Sequence, residues 1–118
     1  MKRDWELVRA ILAKVEETES TQSTVNPNEF LGYSEELVSY HIYILEQSGL
    51  IEATCSKSLN NPMFCLARSI TWNGHEFLDK IRNDTIWKKI KAKASEKSID
   101  LSFDTIKSIA TAILTQVL

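Results

Sequence analysis

YSEELVSYHIYILEQSGLIEA, Tyr33–Ala53, is the stretch whose reading decides the fold. Ser34 can cap a helix, because its hydroxyl can take one of the backbone N–H groups that a first turn leaves unpaired. From about Glu35 to Ser48, Val38, His41, Ile42 and Leu45 fall at steps of three and one, which puts them in a single inward stripe. Gly49 suits the left-handed residue that ends a helix. Leu50 and Ile51 then open a strand, LIEATC.

Working outward, SKSLNNP supplies turn chemistry and MFCLARSI reads as the returning strand, so a β-hairpin follows the helix. Upstream, Trp5, Val8, Ile11, Leu12 and Val15 line one face of a helix over residues 4–17, with Asp4 as its N-cap. Residues 19–33 are polar, contain Pro27 and Gly32, and read as a loop with one helical turn near Asn28–Leu31. Downstream, Thr71 caps a helix carrying Phe77, Leu78 and Ile81. Asn83-Asp84 interrupts or re-caps it, and a lysine-rich helix runs to about Lys97. SIDLS links to a last helix, 103–118, capped by Ser102. The order is helix, linker, helix, hairpin, helix, helix. The expected fold is α+β and mostly helical, with a winged helix-turn-helix core (residues 1–83), a β-hairpin wing and a helical C-terminal extension (84–118) packed on the same single domain.

Composition agrees with one folded domain. The chain has 118 residues with 43% hydrophobic content, enough for one core. Its formal net charge of −2 does not mark a general nucleic-acid binder, though it leaves room for a local basic patch. No apolar run approaches the roughly 20 residues of a membrane-spanning helix. The N-terminus MKRDWELVRAIL has charges inside its apolar pattern and no small-residue cleavage site, so a cytoplasmic protein is expected. On that expectation Cys55 and Cys65, which form no CxxC, are free thiols packed as small hydrophobes.

The chain carries two resemblances. LGYSEELVSYHIYILEQSGLIEA resembles the recognition-helix-and-wing segment of winged-helix regulators of the arsenic-repressor and PadR kinds. In those a V-S-x-H-L-x-x-L-x-x-x-G-L-I pattern recurs, and Val38, Ser39, His41, Ile42, Leu45, Gly49, Leu50 and Ile51 stand at its positions. From Met1 to Ala110 the chain is similar to an uncharacterised family of bacteria and their prophages, a domain of unknown function. The matching segments are MKRDWELVRAIL, GYSEELVSYHIYIL, GLIEA, ITWNGHEFLDKIRNDTIW and FDTIKSIA. The resemblance implies a winged-helix-like fold and a bacterial or phage origin, and it brings no activity with it.

The outward face of the 35–48 helix is where a winged helix meets base edges. Here that face is expected to hold Glu35, Glu36, Ser39, Tyr40, Tyr43 and Gln47. Ser, Tyr and Gln can hydrogen-bond phosphates or bases. The glutamates neutralise no phosphate, and they fit equally well as first-turn residues that favour the helix dipole. Ser39, Tyr40, Tyr43, Gln47 and the wing residue Lys57 are therefore the candidate contacts to double-stranded DNA. Lys88, Lys89, Lys91 and Lys93 form a second basic cluster, either the solvated side of a helix or a contact to phosphate or an acidic partner. On the last helix, Ile106, Ile109, Ile113 and Val117 are either a homodimer contact or packing inside the monomer.

Catalysis and metal binding find little support. Cys55, Cys65, His41 and His75 have no zinc-finger spacing, there is no glycine-rich phosphate loop, and no nucleophile–base constellation appears. The expectation is a protein without cofactor, metal, small-molecule ligand or enzymatic activity. Two readings remain: a DNA-binding, regulator-like module, or a protein-interaction module that keeps the winged-helix frame and binds another protein or itself.

Overall fold

The computed structural model describes residues 1–117, with side chains described as far as Gln116. It is an α+β protein, mostly helical. Its elements are α1 (Trp5–Glu16), a 3₁₀ turn (Pro27–Glu29), α2 (Glu35–Gln47), β1 (Ile51–Ser58), β2 (Asn61–Ile70), α3 (Trp72–Ile81), α4 (Asp84–Glu96) and α5 (Phe103–Val117). They group into two compact units, Met1–His75 and Glu76–Leu118, divided within α3. No helix among the described residues is long and apolar enough to cross a membrane.

In the first unit each helix starts and stops where local chemistry requires. Asp4 Oδ1 accepts from the backbone N–H groups of Glu6 and Leu7, at 2.9 and 3.2 Å, and so caps α1. Ser34 Oγ does the same for α2 through Leu37 N–H at 3.1 Å. Gly49, at φ +81°, ends α2. Its N–H donates to the Glu46 carbonyl and that of Leu50 to the Leu45 carbonyl, the paired bonds of a Schellman stop. Leu45 and Leu50 are both buried, which supplies the hydrophobic contact that goes with this motif.

The inner stripe of α2, Val38, Ile42 and Leu45, is buried, as are Leu7, Val8, Ile11, Leu12 and Val15 of the α1 helix that packs on it. The hairpin lies on α2. Ala53 pairs with Ala67 and Cys55 with Cys65, and Cys65 and Ala67 are fully buried. Small side chains there let the strands approach the helix closely. Pro62 sits at the register shift near the tip, where a missing N–H breaks no ladder bond. A second shift leaves Arg68 as an extra residue on β2. The hairpin is longer than the sequence suggests. Its strands run through Ser58 and restart at Asn61, so the expected seven-residue turn is only Leu59-Asn60.

The cysteines differ from expectation: no free thiol is present, because Cys55 and Cys65 form a disulfide. They are direct cross-strand partners with Cα atoms 4.1 Å apart, so register alone brings the sulfurs together. Pairing of this kind depends on strand register, which a spacing of ten residues does not reveal.

In the second unit, Trp87, Ile90 and Ala94 form the buried side of the lysine-rich α4, and Ile106, Ala110 and Ile113 that of α5. The α4 and α5 helices pack together. Phe77 and Phe103 meet edge to face at 4.6 Å between ring centroids. Asn83 caps α4 through Thr85 and Ile86 N–H. The same helix ends in a second Schellman stop, with Ser98 at φ +56° where glycine is usual.

Candidate nucleic-acid interface

Three of the five residues expected at DNA come together on one surface. Tyr43 and Gln47 are one helical turn apart on α2, and Gln47 Nε2 donates to the Tyr43 hydroxyl at 3.0 Å. Lys57 reaches across from β1, its Nζ 4.8 Å from the centroid of the Tyr43 ring. A cation over an exposed aromatic face contributes about 0.5–1 kcal/mol. That is small for stability but enough to bias where a flexible lysine spends its time. The ammonium keeps donors free for phosphate while its position is tied to the helix.

Ser39 corrects the expected outward face. It is buried, 1% exposed, and its Oγ accepts a 3.1 Å hydrogen bond from Cys65 N–H. The reason lies in the ladder. Cys55 and Cys65 face each other on β1 and β2, and Cys65 N–H points away from β1 and needs an acceptor elsewhere. Two residues along, Ala67 meets the same need by exchanging both bonds with Val25, an isolated bridge on the same edge of β2. Ser39→Ala should therefore leave one buried N–H unpaired and cost about 1–3 kcal/mol in chemical denaturation. A loss under about half a kcal/mol would mean that water replaces the hydroxyl.

Tyr40 is half-buried, with its ring edge against His41 at 5.8 Å. His41 itself is fully buried and structural. Its Nε2 accepts from Asp4 N–H at 2.8 Å, which leaves Nδ1 to donate to the Leu37 carbonyl at 2.9 Å. The imidazole thus joins α2 to the N-cap of α1. Beside that cap, partial burial, then the Asp4 and Glu6 carboxylates, raise the Tyr33 pKa above the ordinary tyrosine value, so its phenol stays neutral at pH 7.

The electrostatics of α2 divide along its length. Glu35 and Glu36 are exposed in the first turn and form no ion pair among the described residues. They offset the positive end of the helix dipole, so this helix start does not offer itself to phosphate. Beside them is a cleft of about 380 Å³ lined by Glu35, Glu36, Ser39, Pro62, Met63 and Phe64. Sequence reasoning missed it. Period two along β2 puts Phe64 on the face away from that of buried Cys65, and the place of Pro62 and Met63 beside the start of α2 is a tertiary contact.

The lysine cluster of α4 lies in the second unit and is split. Lys89 and Lys93 line a cleft of about 410 Å³ with Ala92, Glu96, Ile113 and Gln116. Lys91 is half-buried with its Nζ 5.6 Å from the Trp87 ring, and Lys88 is exposed. On α5, Ile106 and Ile113 are buried within the chain, 0% and 7% exposed, as the alternative of packing inside the monomer has them. They complete the apolar side on which the helix packs. Ile109 is half-buried, and the Val117 side chain lies outside the described residues.

Comparison with known proteins places the chain. A family model described as "Hypothetical protein (DUF2513)" matches residues 2–100. An uncharacterized protein of Haemophilus influenzae is 48% identical over 118 residues, covering 100% of this chain and 99% of that protein. By both measures the chain belongs to the DUF2513 family.

Proposed function

We propose that this is a non-enzymatic winged-helix protein of the transcription-regulator kind, and that it binds double-stranded DNA through the C-terminal half of α2 and the β1–β2 wing. The order of elements supports the frame. A helix is followed by a short pairing segment at Val25, a tight turn, a second helix, a hairpin and a third helix. Val25 extends the two-stranded sheet by one bridge, as the first short strand of a winged helix does. The observation that carries the reading is the convergence of Lys57, Tyr43 and Gln47. One patch holds a phosphate-seeking cation and two side chains able to hydrogen-bond base edges, contributed by the helix and the wing that this architecture applies to DNA.

On this reading Glu35 and Glu36 lie close enough to the duplex to repel its phosphates, and affinity depends on few phosphate contacts. Binding should then be weak, with a shallow salt slope, because that slope scales with the number of phosphates neutralised. Mobility shift with mixed-sequence duplexes at low and moderate salt tests it. Lys57→Ala should weaken binding to every sequence alike and reduce the salt slope by about one unit. Tyr43→Ala should alter sequence preference more than salt slope. A wild-type protein that shifts no duplex even at low salt overturns the reading.

A second reading is favoured by one observation. The cleft between the start of α2 and β2 joins two unpaired carboxylates to Met63 and to an exposed Phe64, 39% accessible. That chemistry suits a protein partner presenting a cation beside an apolar residue. Glu35→Lys together with Glu36→Lys separates the two cases: it should strengthen DNA binding by removing repulsion and abolish binding to such a partner.

A further inference from the structure

We propose that the Cys55–Cys65 pair is a thiol-responsive switch: oxidised, it fixes the wing and with it Lys57 at the α2 surface; reduced, it releases them. The inference rests on the DNA reading and adds to it the regulation of that site. The two strands of the hairpin are not held alike. β2 is anchored along its outer edge, by the Val25 bridge at Ala67 and by Cys65 N–H donating to Ser39 Oγ of α2. β1, which carries Lys57, pairs with β2 alone among the described residues. Because Cys65 N–H points to Ser39, Cys55 and Cys65 do not exchange backbone hydrogen bonds, and their rung is joined by side chains only. The disulfide supplies that join. Two residues further on, the register shifts between Ser56 and Ser58, so Lys57 stands where the ladder is irregular. Its contact with the Tyr43 ring, about 0.5–1 kcal/mol, biases the lysine but does not fix the strand beneath it.

The pair is also placed to open and close without loss of the fold. Cys55 is half-buried and Cys65 fully buried, so an external thiolate reaches the bond from the Cys55 side. The reductant is a small monothiol such as glutathione. Its thiolate bonds to the Cys55 sulfur, the protein S–S bond breaks, and the Cys65 sulfur leaves with the electron pair and takes a proton. A second monothiol thiolate then attacks the sulfur of the first, and Cys55 leaves as a thiolate that is protonated in turn. Two electrons and two protons have reached the protein, and the two monothiols depart as one disulfide. Thr54–Leu66 and Ser56–Phe64 pair on either side of the rung, so register keeps the two thiols opposite each other and the oxidised monothiol can close the bond again.

The test uses the full chain equilibrated with reduced or oxidised glutathione. Alkylation followed by mass measurement counts the thiols, and hydrogen exchange reads the wing. Reduced glutathione should open the bond in the folded protein, with helix content by circular dichroism unchanged, and oxidised glutathione should restore it. Exchange at residues 55–65 should be faster in the reduced protein, while exchange in α1 stays the same. Duplex binding at low salt should weaken about two- to fivefold on reduction, the loss of one cation–π seat. Cys55→Ala together with Cys65→Ala, which copies the neighbouring Ala53–Ala67 rung, should behave as reduced wild type in either buffer. A bond that opens only on denaturation, a reduced chain that unfolds, a reduced wing that exchanges no faster, or equal affinity in the two states overturns the switch. A wild type that binds no duplex in either state overturns the DNA reading and, with it, this control of DNA binding.

Discussion

Gly74→Ala should be the most damaging single methyl in the protein. In an ordinary helix interior this change is favourable by about 1 kcal/mol, because alanine restricts the unfolded chain and glycine does not. Here the sign reverses. A Cβ on Gly74 would fall well inside contact distance of the Leu50 carbonyl oxygen and 2.6 Å from Ile70 Cγ1. The first obstacle is backbone, and it is held. Leu50 carbonyl accepts from Thr71 N–H at 3.0 Å, and Thr71 Oγ1 donates to the Gly49 carbonyl at 2.6 Å while accepting from Gly74 N–H. Relief requires the start of α3 to move off the end of α2 and break that junction. The expected cost is about 3–5 kcal/mol, above the roughly 1–3 kcal/mol usual for overpacking because the obstacle is backbone, and it should lower the melting temperature by on the order of 10–20 °C. A stability equal to wild type would mean that α3 can slide without losing the Thr71 bonds.

Leu45→Ala carries the second-largest expected effect. Leu45 is 4% exposed on the α2 face that packs with α1, and it is also the residue whose carbonyl receives Leu50 N–H in the helix stop. Truncation removes buried apolar area and leaves a cavity walled by helix and hairpin, which relax poorly. The loss should be about 2–5 kcal/mol in a denaturant titration with an unchanged m-value. A loss below about half a kcal/mol would show that the stripe Val38–Ile42–Leu45 is wrongly phased. The two variants report on different things: Leu45 on the packing of two helices, Gly74 on the close approach of backbone to backbone.

The candidate site was half legible. Tyr43, Gln47 and Lys57 were readable as polar or basic residues on an exposed face. Their convergence was not, since Lys57 is ten residues from Gln47 in the chain and meets Tyr43 only because the hairpin folds over α2. Ser39 was misplaced for a related reason. Helical phase puts it at the margin of the inner stripe, and only β2 lying along that margin supplies the Cys65 N–H that draws it inward. The apolar face of α5 showed that the helix packs on something. Whether that was its own chain depended on α4 presenting Trp87, Ile90 and Ala94 among its lysines.

By itself the sequence determined every helix and both strands, because their signals are local. Periods of 3.6 and 2, and caps such as Asp4, Ser34, Thr71, Asn83 and Ser102, act within one or two turns of chain. It also determined the stop at Gly49, where a residue without Cβ takes positive φ at little cost. The end of α4 near Lys97 was readable too, but not the positive φ of Ser98, since serine adopts that conformation only when neighbouring bonds over-determine it. Tertiary structure alone decided the rest: the Cys55–Cys65 pairing, the inward turn of Ser39, the prohibition of a side chain at Gly74 and the seat of Lys57 on Tyr43. Each depends on atoms far apart in the chain meeting at separations of a few ångströms, and local preference does not set such distances. They follow from register and packing, which exist only once the elements have assembled.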